Sequence, residues 1–164
     1  MKILEALKEK RLSNLASFEY AEQTFFVRQP QPEDFAEAFI QAKSAERIAS
    51  GKLSSEMRQE KPDPTFKKLY GEAADAETLA MFGLDNPANL FEQKVGIKSL
   101  LAFTSYQFAR LLMDNKGNAI ASNETELNEL ARAIGEDKEF RELIAHALKS
   151  YEAQGETEGN AETT

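Results

Sequence analysis

Along most of this chain the apolar residues return every three or four positions, the spacing that lines one face of an α-helix, with charged residues between them. Ile3, Leu4, Leu7, Leu12 and Leu15 open the sequence in this way, among Lys2, Glu5, Lys8, Glu9 and Arg11, and predict a short amphipathic helix. The pattern then changes. Ser17-Phe18-Glu19-Tyr20 and Thr24-Phe25-Phe26-Val27-Arg28 are aromatic and β-branched runs on either side of Ala21-Glu22-Gln23, and they predict a hairpin whose turn lacks Gly or Asn. Pro32 with Glu33 and Asp34 is a helix start, because Pro suits the first turn and acids suit the positive end of the helix dipole. That helix is expected to run to about Ile48 and to end at Gly51, with Phe35, Phe39 and Ala42 inward and small Ala38, Ala45 and Ala49 admitting a close neighbour.

Residues from about 50 to 65 are polar, contain Pro62 and Pro64 and hold no apolar period, so a mobile loop is expected there. Asp75 is placed to cap a helix over Ala76–Phe82, which Gly83 stops, and Asn86-Pro87 signals the start of a longer helix that Gly96 weakens. Arg110–Met113 and Ala119–Ala121 flank the turn-rich Asp114-Asn115-Lys116-Gly117-Asn118, where a second hairpin competes with continued helix and the hairpin is favoured. Asn123 with Glu126 three residues on is a capping box opening a helix that ends at Gly135. Asp137 caps the last helix, whose Phe140, Leu143, Ile144, Ala147, Leu148 and Tyr151 follow the 0, 3, 4, 7, 8, 11 spacing of a buried stripe, with His146 on the outer side. The four Glu and few apolar residues of 152–164 predict a disordered acidic tail. The whole pattern predicts a mainly α fold of the α+β kind: amphipathic helices packed around one core in residues 1–151, with two short antiparallel β-hairpins.

Composition narrows the chemistry. The 164 residues suit a single domain, and 28 Asp+Glu against 20 Lys+Arg give a formal charge of −8, which argues against nucleic acid and anionic membrane as partners. With no Cys and one His, disulfides, thiolate nucleophiles, His-based triads and multi-His metal cages are excluded. The glycines form no phosphate-cradling loop, the Asp114 turn puts Lys116 on a would-be calcium ligand position, and the sequon at Asn123 is better explained as a helix cap. No enzyme, cofactor or metal ion is therefore expected. Charges interrupt the first apolar positions and no stretch approaches a membrane span, so a soluble, cytoplasmic protein is expected. The candidate binding residues are Phe18, Tyr20, Phe25 and Phe26, a surface for an apolar partner segment or else the inner face of the first hairpin; Phe25 and Phe26 point to opposite faces of a strand.

Several of these features together resemble the tail assembly chaperones of long-tailed bacteriophages. They are the Leu-rich opening helix, the hairpin from Phe18-Glu19-Tyr20 to Phe25-Phe26-Val27-Arg28, the helix entered through Glu33-Asp34-Phe35, and Leu111–Ala121 followed by a capped acidic helix and a terminal helix. The resemblance covers residues 1–50 and 105–151. It implies a non-catalytic protein of the bacterial host cytoplasm that binds the helical tape-measure protein, keeps it soluble and helps recruit tail-tube subunits, in families that often also make a longer frameshifted form. Such a chaperone needs surplus apolar surface, solubility and many copies, so a homo-oligomer is expected. The alternative from another class is a small acidic adaptor or regulator docking on one folded partner.

Overall fold

A computed structural model describes residues 2–66 and 75–162, the last ten of these by their backbone alone. The fold is mainly α with a small antiparallel sheet. In chain order the elements are α1 (Lys2–Ser13), β1 (Ala16–Tyr20), β2 (Gln23–Val27), α2 (Pro32–Lys52), a 3-10 turn (Ser55–Gln59), α3 (Ala76–Met81), α4 (Leu90–Leu111), β3 (Leu112–Met113), α5 (Glu124–Glu136) and α6 (Lys138–Glu162). Where one domain is expected over 1–151, the chain divides into two compact units, residues 1–34 with 106–164 and residues 35–105.

The first unit is built on the sheet β1-β2-β3. Register pairs Phe18 with Phe25 and Ala16 with Val27, so these four side chains share one face, and that face receives the stripe of α6. Val27, Phe108, Leu111, Leu112, Ile134, Phe140, Ile144 and Ala147 form the buried core of this unit, and His146 stands exposed on the far side of α6 as the spacing predicts. Tyr151 completes the joint. Its hydroxyl accepts from Ala16 N at 2.9 Å and donates to Val27 O at 2.5 Å, bridging the last residue pair of the β1–β2 ladder.

The hairpin turn consists of Ala21 and Glu22 alone, both left-handed at φ 50° and 62°. Two-residue hairpins of this kind favour Asn-Gly, since a Cβ at positive φ costs about 1 kcal/mol or more. The second hairpin is much reduced: α4 carries Arg110 and Leu111 as helix, β3 is two residues long, and Met113 bridges to Ala119. Its turn is as expected, with Asp114 Oδ1 accepting from Lys116 N and Asn118 N and Gly117 at φ 83°. β3 instead serves as a third strand, pairing Leu112 with Val27 and Met113 with Phe26.

In the second unit Ala38 and Ala42 are fully buried, and Ser99 Oγ on α4 donates to Ala42 O at 3.0 Å, an approach that the small residues of α2 permit. α2 passes through Gly51, which a helix interior tolerates at modest cost. The stretch expected as a mobile loop holds the 3-10 turn, capped by Ser54, and is tied to α4 by Leu90 N to Glu60 O and by a two-way bond between Gln93 and the backbone of Asp63. Gly96 is a packing requirement: a Cβ there would lie 2.6 Å from Phe82 O and 2.8 Å from a Leu84 methyl. The cap of α4 is Asn89, which accepts from Glu92 N, not Asn86. α6 continues in helix to Glu162 where a disordered tail is expected from residue 152; Glu, Ala and Gln favour continuing a helix already nucleated.

Candidate functional site

Of the four aromatic residues singled out by sequence, the structure brings together three. Phe18, Tyr20 and Phe25 surround Phe140 of α6, with ring centroids 5.4, 5.0 and 5.7 Å away in edge-to-face geometry, and Phe18 stacks on Phe25 at 5.6 Å. Edge-to-face rings add to the burial of their area, so this apolar surface is consumed inside the first unit. Tyr20 also donates to Asp137 Oδ2 at 2.5 Å. That bond favours the charged carboxylate and the neutral phenol, holding Asp137 below its ordinary value and pushing Tyr20 up. Phe26 is separate: it lies half-buried on the other face, beside Met113 and Ser17 across the ladder.

A separate exposed apolar surface lies on α1. Ile3, Leu4 and Leu7 are 75%, 61% and 58% exposed, and the helix buries none of its residues. Leu12 is half-buried, and its methyl lies near Gly117. Lys2, Lys8, Lys10 and Arg11 against Glu5 and Glu9 leave α1 net positive on an acidic chain. Among the described residues none of these four cations enters an ion pair; the pairs present are Arg28 and Arg110 with Asp34, Lys43 with Glu46, and Lys138 with Glu142.

The most concentrated charge is a cluster the sequence did not disclose. Asp34, 1% exposed in the first turn of α2, accepts from Arg28 Nη1 and Nη2 at 2.6 and 2.5 Å, from Arg110 Nε at 3.0 Å and from Gln31 N at 2.9 Å. Burial pushes its carboxyl up, but the Arg28 bonds, the Gln31 amide and Arg110 together outweigh it and hold the group at about 2. Arg28 continues the join by donating to Arg110 O, and its own amide donates to Leu111 O. Every lone pair of Asp34 is occupied, so the cluster ties Arg28, Gln31 and Arg110 together within the first unit rather than presenting a reactive group.

The second unit carries an open groove of about 550 Å³ lined by residues including Lys43, Glu46, Arg58, Phe91 and Glu92. Lys43 pairs with Glu46 at 3.1 Å, and Arg58 lies over the Phe91 ring at 4.5 Å. The buried side-chain polar atom with no partner among the described residues, Ser105 Oγ, is not in this groove. Among the described residues there is no group of three His, Asp or Glu side chains suited to a metal ion, and no helix long and apolar enough to cross a membrane. Compared with known proteins, the chain matches no protein-family model, no curated sequence and no solved structure.

Proposed function

We propose that this protein is a non-catalytic tail assembly chaperone of a long-tailed bacteriophage, working in the host cytoplasm as a homo-oligomer to hold the tape-measure protein soluble and to help recruit tail-tube subunits. The observation that carries the reading is the exposed apolar face of α1 on a folded, acidic protein. A tape-measure helix exposes apolar stripe over a great length, and what it needs from a chaperone is matching apolar surface on a soluble carrier, not chemistry. The sequence resemblance over residues 1–50 and 105–151 supplies the phage context.

The test is co-expression with the tape-measure protein encoded in the same gene neighbourhood. The partner moves from the pellet to the soluble fraction and co-elutes with this protein on size exclusion. A tape-measure protein that stays in the pellet at excess chaperone overturns the reading in favour of the small acidic adaptor.

A further inference from the structure

We infer that the exposed face of α1 is a docking strip for an acidic amphipathic helix of a partner protein, whose apolar stripe seats on Ile3, Leu4 and Leu7 and whose carboxylates pair with Lys8 and Lys10. The inference rests on the chaperone reading only for the identity of that partner.

At about 100° per residue, Ile3, Leu7 and Leu4 fall within an arc of about 100°, the width of a helix-packing stripe, and Arg11 falls inside the same arc one turn beyond Leu7, a cation on the next seam position. Lys10 borders one edge of the arc and Lys8 the other, while Glu5 and Glu9 lie on the opposite side of the helix. With Leu4 and Leu7 as the seam of a helix pair, Lys8 and Lys10 take the flanking positions that choose a partner by charge. Among the described residues neither cation has an ion-pair partner, and both are exposed, on a chain whose formal charge is −8. Carboxylates on the facing helix would complement them; amines would be repelled.

Other occupants fit less well. A second α1 brings like charge against like charge. The outward acids of α5 and α6 in a second copy, Glu124, Glu129, Glu139 and Glu142 among them, come with no exposed large apolar residue on those helices. An anionic lipid surface would meet three large side chains, too few for firm insertion.

Fluorescence anisotropy on the full chain tests this with two labelled synthetic helices of about three heptads sharing a Leu seam, one flanked by Glu and one by Lys, and with phosphatidylserine vesicles as a third probe. The Glu-flanked helix binds about tenfold more tightly than the Lys-flanked one. Lys8→Glu with Lys10→Glu inverts that preference, and Leu4→Ser with Leu7→Ser abolishes binding of both, each variant melting within a degree or two of the parent because these side chains are exposed. Equal binding of the two helices, no inversion on charge reversal, or binding to vesicles alone overturns the inference. Discrimination between the helices with the tape-measure protein still insoluble would overturn the chaperone reading and leave the docking strip standing. Full solubilisation of that protein by the Leu4→Ser/Leu7→Ser variant would do the reverse.

Discussion

Helices α1 and α6 are written in the same code, large apolar residues at helical spacing among charges, yet they meet opposite fates. The stripe of α6 has a counterpart: the sheet face carrying Phe18, Tyr20, Phe25 and Val27 receives Phe140 and Ile144, and polar bonds at both ends fix the seating, Tyr20 to Asp137 and Tyr151 to the β1–β2 ladder. The stripe of α1 has none among the described residues. A periodic pattern therefore says that a helix has a face to cover without saying whether the cover lies in the same chain. What separates the two is aromatic content and length: α6 offers a Phe and a Tyr along a long stripe, α1 three aliphatic side chains bordered by cations.

Phe140→Ala should break α6 most severely, costing about 3–5 kcal/mol in a chemical denaturation curve, since it empties the box formed by Phe18, Tyr20 and Phe25. Asp34→Asn should be nearly as damaging, about 3 kcal/mol, because it leaves two guanidinium groups facing a neutral amide. The same carboxyl sets a pH limit. Its folded value of about 2 lies below the ordinary carboxylate value, so its contribution is complete above about pH 4 and is lost as pH falls toward 2. In Asp34→Asn that part of the acid-induced loss of melting temperature should disappear. Tyr151→Phe removes the hydroxyl that serves Ala16 N and Val27 O and should cost about 1–3 kcal/mol, a measure of how much this polar bridge adds to the apolar stripe of α6. Ala21→Asn with Glu22→Gly should raise stability by about 1 kcal/mol; no gain would mean that the turn is already relaxed without the packing of α6. Leu7→Ser in α1 should change stability by less than about 0.5 kcal/mol, and a larger loss would mean that α1 is docked after all.

Much of the secondary structure was legible because its determinants are local. The caps Asp75, Asn123 and Asp137 each accept from the backbone amide three residues on, and the α6 stripe and the outward His146 follow from spacing alone. Errors arose where tertiary contact overrode a local rule. Gly96 weakens a helix by propensity yet is demanded by Phe82 and Leu84, and the Ala21-Glu22 turn adopts left-handed backbone without the residues that prefer it, because the strands on either side are held by α6. Aromatic character marks cores as readily as interfaces, so Phe18, Tyr20, Phe25 and Phe26 leave two readings open in the sequence, a partner surface or the inner face of the hairpin; the first three line the Phe140 box. The Asp34 cluster left no trace in the sequence, since Arg110 lies 76 positions away and Asp34 reads there simply as an acid in a first helical turn.

The Tyr151 bridge gives the first unit an internal clock. The Ala16 amide donates to the hydroxyl of Tyr151 in the middle of α6, so that bond is lost when this turn of α6 lifts away from the sheet. Its deuterium uptake is then expected to follow the seating of α6 on the sheet, and comparison with amides inside the β1–β2 ladder measures the two openings separately.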